Sequence, residues 1–182
     1  MALRNILHDE DPTLLKKSRR VTDFNPRLHE LIDDMRETLL SADGIGLAAV
    51  QVGVLRRVVL VIDTLLEDPD QEPKVIELIN PEIIESSGEQ SGPEGCLSVP
   101  GVWGLVTRPD FVKVRAQDRF GHIFEVSGAD LTARAFCHEL DHLEGTLFTS
   151  LAEKILTPEE LEEMQKANAQ DGQDEIEEQE KL

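Results

Sequence analysis

The spacing of apolar residues predicts a helix near the start of the chain. Asn25 can cap this helix, and Pro26 suits its first position. After them, apolar residues recur at helical spacing: Leu28, Leu31, Ile32, Met35 and Leu39. We expect the helix to end before Gly44.

Two further helices are predicted in the second half of the chain. One runs from about Asp130 to Glu144 and is stopped by Gly145. The other starts at 157–160, where Thr-Pro-Glu-Glu combines a capping box with proline at the first helical position. This last helix should cover about residues 157–167.

Short strands are predicted between the first two helices. They are runs of β-branched and apolar residues at 57–62, 75–79, 83–85, 111–116 and 122–126. The glycine- and proline-rich segments Ser86–Gly95 and Val99–Gly104 are interpreted as loops. The predicted class is α+β, with short antiparallel or mixed sheets packed around the late helix and further helices at the N-terminal and C-terminal ends.

Length and composition indicate one folded unit. The chain has 182 residues, 40% of them hydrophobic, which is enough for one core. We expect a single catalytic domain over residues 1–168. Residues 169–182 combine many acids with few apolar side chains, so they should form a disordered acidic tail.

The charge and the cysteine content exclude several functional classes. A formal net charge of -19 disfavours broad contact with DNA or with an anionic membrane. The N-terminus lacks the apolar stretch of a secretory signal, and two cysteines make no disulfide framework. The expected location is the cytoplasm.

The strongest chemical signal is the sequence His138-Glu139-Leu140-Asp141-His142 in the late helix. Residues four apart lie on one helix face, so both imidazoles can reach one metal ion. Glu139 points to the side of that ion, where its carboxylate can take a proton from water. This pattern predicts a metal site.

The third ligand is left open by the spacing. One protease signature would need histidine at 148, where this chain has Phe148. A second protease type takes a downstream glutamate, and residues 159–163 supply several. Cys96, in a glycine-flanked segment, offers a thiolate instead. In a third alternative, a non-catalytic metal-stabilised interaction domain, Cys137 would be a fourth ligand, but it points about 100° away from His138.

Three motifs together resemble the signature of peptide deformylases. They are Gly-Ile-Gly-Leu-Ala-Ala-Val-Gln at 44–51, Glu-Gly-Cys-Leu-Ser at 94–98 and His-Glu-Leu-Asp-His-Leu-Glu-Gly at 138–145. Their order and spacing also match, and the likeness extends over about residues 6–148. The resemblance implies a hydrolase that removes the formyl group from the N-terminal formylmethionine of nascent polypeptides and releases formate.

The same resemblance implies a role for each matched residue. Cys96, His138 and His142 would hold one divalent metal per chain, typically Fe²⁺, with Zn²⁺, Ni²⁺ or Co²⁺ as alternatives. Glu139 would be the general acid and base. The oxyanion would be stabilised by the side-chain amide of Gln51 and by the backbone N–H of Leu97.

Residues around these motifs are candidates for substrate binding: Ile45, Gly46, Glu94, Gly95 and Leu131. Ile45 and Leu131 are expected either to line the substrate pocket or to pack in the hydrophobic core. Glu94 is expected either to position its loop or to support the metal ligands. Trp103 is expected either to anchor its loop or to form part of the rim of the substrate pocket. Cys137 replaces a glutamine common in the family and is either an inert buried thiol or a site of oxidation.

The implied substrate also implies a partner. Nascent chains emerge at the ribosome, so transient contact with that RNA-rich particle is expected. Lys16, Lys17, Arg19 and Arg20 form a basic segment suited to a local, salt-sensitive contact.

Overall fold

The computed structural model describes residues 2–42, 44–64 and 73–167. The predicted acidic tail at 169–182 lies outside the described residues. Within the described ranges, no helix is both long and apolar enough to cross a membrane.

Among the described residues, three α-helices form where the sequence predicts them. Helix α1 spans Pro26–Ser41, and the Asn25 side chain accepts hydrogen bonds from the first backbone N–H groups. Helix α2 spans Asp130–Leu143, and helix α3 covers 158–167. The capping box of α3 is formed: the Thr157 N–H donates to Glu160 Oε2 at 3.0 Å, and the Glu160 N–H donates to Thr157 Oγ1 at 3.3 Å.

In the described part of the chain, eight strands form two antiparallel sheets. The strands are β1 Gly46–Ala48, β2 Val58–Ile62, β3 Val75–Ser87, β4 Gln90–Cys96, β5 Val99–Arg108, β6 Phe111–Gln117, β7 Ile123–Ala129 and β8 Lys154–Ile155. The larger sheet has the order β1-β2-β3-β6-β7, and the smaller has the order β4-β5-β8. Helix α2 contacts strands of both sheets. The predicted α+β class, with sheets around the late helix, is confirmed.

The prediction of loops at Ser86–Gly95 and Val99–Gly104 is wrong, since these segments supply much of β4 and β5. Proline and glycine favour loops in general, but β4 is an edge strand, where a proline such as Pro93 is tolerated. The two predicted strands at 75–79 and 83–85 form the single strand β3, whose pairing with β6 is interrupted by register shifts.

The apolar run of β2 is explained by cover on both faces of the large sheet. Val59 and Val61 point into a core that includes Phe136 of α2. Val58 and Leu60 point into the core against α1. A strand buried on both sides loses the alternation of apolar and polar residues, so β2 appears in the sequence as a continuous hydrophobic run.

The core beneath α2 gives a stability prediction. Phe136 is fully buried, so Phe136→Ala should lower the free energy of unfolding by about 3–5 kcal/mol. Phe120, 64% exposed, is the matched control, and Phe120→Ala should change it by less than about 0.5 kcal/mol. Urea denaturation followed by circular dichroism measures both. Equal losses in the two variants would contradict this assignment of the core.

Candidate metal centre

Three potential ligands converge from two different elements. Cys96 ends β4, while His138 and His142 lie one turn apart on α2. One ligand atom from each of the three lies within 4.8 Å of the others. Cys96 Sγ lies 3.3 Å from His142 Nε2. Folding therefore brings a sulfur and two imidazoles to one point.

This donor set fits a divalent transition metal. Donors bound at about 2.0–2.3 Å in a tetrahedral site lie roughly 3.3–3.8 Å apart, close to the observed sulfur–nitrogen distance. Burial lowers the pKa of His142 to about 3, so this imidazole is neutral, as a ligand must be. Three protein donors also leave room for a further ligand, which is typical of catalytic sites.

The competing ligands lie elsewhere. Among the described residues, the cluster of His, Cys, Asp or Glu spaced to hold a metal is Cys96, His138 and His142. Glu160 and Glu162 form ion pairs with lysines instead. Cys137 lines a separate groove, and burial raises the pKa of its thiol to about 11, as expected of an inert thiol.

The carboxylate of Glu94 orients one candidate ligand. His138 Nδ1–H donates to Glu94 Oε2 at 3.0 Å, which leaves Nε2 free to bind a metal. Arg108 donates to both oxygens of Glu94, at 2.8 and 3.0 Å, and Arg134 donates to Oε1 at 2.9 Å. The imidazole of His138 is thus held by a buried ionic network.

The network keeps Glu94 ionised. Burial by itself would raise the pKa of Glu94, but the hydrogen bonds from His138 and Arg108 outweigh it and lower the pKa to about 2. Asp141 forms a salt bridge with Arg108 at 2.7 Å. It is therefore linked to Glu94 through this arginine.

Gln51 presents its amide nitrogen to the same point. The Ala48 N–H donates to Gln51 Oε1 at 2.8 Å, which fixes the orientation of the amide. Gln51 Nε2 then lies 3.5 Å from Cys96 Sγ and 3.2 Å from Ser98 Oγ. A neutral donor is therefore held beside the three potential ligands.

Glu139 lies buried next to these groups. Burial raises the pKa of Glu139 to about 7. Its Oε2 atom has no hydrogen-bond partner among the described residues. A Cβ on Gly46 would be within 2.4 Å of the Glu139 carboxylate, so glycine at 46 makes room for this side chain.

A cavity of about 440 Å³ opens beside the ligands. All the candidate substrate-binding residues line it: Ile45, Gly46, Glu94, Gly95 and Leu131. Leu97, Trp103 and Glu139 line it as well. Its walls are mainly apolar, as in many sites for small ligands.

Two arginines of the site were missed in the sequence. Arg134 precedes His138 by four residues, so a charged residue on the ligand face of the helix was an available signal. No pattern in the sequence pointed to Arg108, because strand pairing and packing bring it to Glu94 from β5. Ser98, which accepts from Gln51, was within a motif but had no assigned role.

Comparisons with known proteins show the family of the chain. The family model described as polypeptide deformylase matches residues 3–156. A peptide deformylase of Caldanaerobacter subterraneus subsp. tengcongensis is 51% identical over 162 residues, which is 89% of this chain and 97% of that protein.

Solved structures give the same result. A peptide deformylase crystal structure from Legionella pneumophila is 38% identical, with a TM-score of 0.76 over 92% of this chain and 98% of that one. A class I type b peptide deformylase from Acinetobacter baumannii, crystallised with Met-Ala-Ser, is 32% identical, with a TM-score of 0.75 over 82% of this chain and 98% of that one. The chain belongs to the peptide deformylase family.

Proposed function

We propose that the chain hydrolyses the formyl amide of N-formylmethionyl peptides, with Cys96, His138 and His142 as metal ligands and Glu139 as general acid and base. The observation that carries this proposal is the meeting of three donors within 4.8 Å, two of which, Cys96 and His138, line a cavity together with Glu139 and Gln51. Membership of the deformylase family supports the same substrate, the formylated N-terminus of a nascent polypeptide.

The bound metal supplies Lewis acidity, which makes water a usable nucleophile near neutral pH. Glu139 takes the proton from the attacking water and later gives it to the amine nitrogen that leaves. A carboxyl whose pKa is raised to about 7 suits both steps, because it accepts and releases protons near neutrality. Its unpartnered Oε2 is free for this exchange.

The formyl oxygen gains negative charge as water adds to the formyl carbon. Gln51 Nε2 is assigned to donate to that oxygen, together with the backbone N–H of Leu97. The hydrogen bond from Ala48 to Gln51 Oε1 supports this role, because it turns the NH₂ group toward the site before substrate arrives. Donors fixed in advance stabilise the transition state without reorganising.

The apolar cavity is assigned to the methionine side chain. Ile45 and Leu131 line its walls, and Gly46 and Gly95 border it as well. The complex of the Acinetobacter baumannii enzyme with Met-Ala-Ser supports this assignment, since that tripeptide begins with methionine.

We infer Fe²⁺ as the native metal, because it is the metal typical of the family. Zn²⁺, Ni²⁺ and Co²⁺ are the expected substitutes, because one thiolate and two imidazoles accept any of these borderline ions. The nascent substrate supports a cytoplasmic location and transient contact with the ribosome.

Formate release decides the function. Iron-loaded protein, prepared and assayed without oxygen, should release formate from formyl-Met-Ala-Ser and should leave acetyl-Met-Ala-Ser intact. Zinc-loaded protein assayed in parallel tests the choice of metal and should be slower. Absence of formate from every metal-loaded form would refute the proposal.

Glu139→Gln should lower kcat by about 10²–10⁴-fold, because the amide cannot carry the proton. Bound metal, measured by elemental analysis, should stay at the parental level. Glu144→Gln is the matched control: the same change on the next turn, at an exposed residue paired with Lys17 and Arg57. It should leave kcat within about two-fold of the parent. Full activity of Glu139→Gln would exclude the assigned role.

Cys96→Ala should abolish both metal binding and activity, because the thiolate is one of three ligands. Cys137→Ala, which removes the other thiol of the chain, should keep both. Elemental analysis of the purified variants measures the metal content per chain. If Cys96→Ala retained metal while Glu159→Ala or Glu163→Ala lost it, the protease type of ligand set would be correct instead.

A further inference from the structure

The cations of this acidic protein are distributed in an unusual way. Most lysines and arginines in the described part of the chain pair with a carboxylate within 4.0 Å. Six form no ion pair with another described residue: Lys16, Arg19, Arg20, Arg27, Arg36 and Arg56. Four of these six lie in or beside the segment 16–20, so unneutralised positive charge is concentrated at one place.

Two backbone segments bring these cations together. Arg19 and Arg56 face each other in an isolated parallel β-bridge. The Arg19 N–H donates to the Leu55 carbonyl at 3.1 Å, and the Arg57 N–H donates to the Arg19 carbonyl at 2.9 Å. Paired residues in such a bridge project to the same side, so the two arginines stand next to each other.

Lys17 and Arg57 lie next to this bridge in the sequence. Both bind the carboxylate of Glu144, at 2.8 and 2.6 Å, so one acid serves two cations. We name the six residues Lys16, Lys17, Arg19, Arg20, Arg56 and Arg57 the cationic strip. Five of the six are exposed, and Arg57 is partly buried. The strip keeps a clear excess of positive charge.

The backbone beneath the cationic strip is firmly anchored. The Ser18 N–H donates to the Leu143 carbonyl at 2.8 Å. The Asn80 side chain accepts from the Val21 N–H at 2.8 Å and donates to the Val21 carbonyl at 2.9 Å. At Gly145 (φ 76°), a Cβ would be within 2.5 Å of the Leu15 carbonyl oxygen. The charged side chains therefore project from a fixed base, which reduces the entropy lost on binding.

We propose that the cationic strip binds the phosphate backbone of RNA. Four of its six side chains are guanidinium groups, whose planar donors match phosphate oxygens. Contact with RNA at this site rests on the proposed function, because a nascent substrate is met on an RNA-rich particle. The net charge of -19 makes such contact local: the strip attracts RNA, and the acidic remainder repels it.

RNA suits this surface better than an anionic membrane. The strip is only two backbone segments wide, and the acids Glu82 and Glu144 line a groove together with Arg20 and Arg57. A flat bilayer would bring those acids against its own negative charge, whereas a phosphate backbone follows a narrow path. Leu15 is the large exposed apolar residue next to the strip, and one such residue gives only marginal membrane anchoring.

The test measures binding of full-length protein to purified bacterial 23S ribosomal RNA at about 50 and 200 mM potassium chloride. Arg19→Gln/Arg56→Gln should weaken binding by roughly ten- to a hundred-fold at the lower salt and reduce the salt slope by about 1.5–2, as expected for two lost phosphate contacts. Phosphatidylglycerol–phosphatidylcholine vesicles serve as the membrane probe and should bind neither protein measurably.

Arg27→Gln/Arg36→Gln is the matched control, since it removes two unpaired arginines of α1 and the same net charge. It should bind RNA as the parent does. Equal loss in both variants, unchanged binding of Arg19→Gln/Arg56→Gln, or binding to vesicles in place of RNA would each overturn the proposal. Formate release by the same samples should be unaffected, so a failure of the proposed catalysis is recognised separately from a failure of RNA binding.

Discussion

The buried carboxylate of Glu94 is the interaction on which the rest of the site depends. It lies on β4 and binds Arg108 of β5 and two residues of α2, Arg134 and His138. One anion thus fastens the small sheet to the helix that carries the histidines. Removing one partner of a buried pair costs about 3–5 kcal/mol, because the remaining charges stay desolvated without compensation. The network therefore resists relative movement of strand and helix.

This fastening matters because the candidate ligands come from separate elements. Cys96 is two residues beyond Glu94 on the same strand, and His142 is one turn beyond His138 on the same helix. Any slip between β4 and α2 would separate the sulfur from the imidazoles. Gln51 comes from a third segment, and the hydrogen bond from the Ala48 N–H sets the orientation of its amide. The site is thus held by contacts outside the ligands themselves, as metal sites generally require.

Much of this arrangement follows from local sequence, and the remainder does not. The helices and β2 were predictable because apolar spacing reports directly which faces are buried. The motif around His138 was equally clear, because two candidate ligands lie one helical turn apart. Strands β4 and β5 were missed, since proline and glycine favour loops until the partners of an edge strand are known. Arg108 is brought to Glu94 only by strand pairing, so no local pattern contains that contact.

Glu94 and Glu139 show why residue type alone does not define a role. Both are buried beside His138, yet the pKa of Glu94 falls to about 2 while that of Glu139 rises to about 7. Glu94 accepts hydrogen bonds from two arginines and an imidazole, which outweigh its desolvation. Glu139 is desolvated as well, but its Oε2 has no hydrogen-bond donor among the described residues. One carboxylate therefore remains an anion that orients an imidazole, and the other is able to exchange a proton, as opposite environments require.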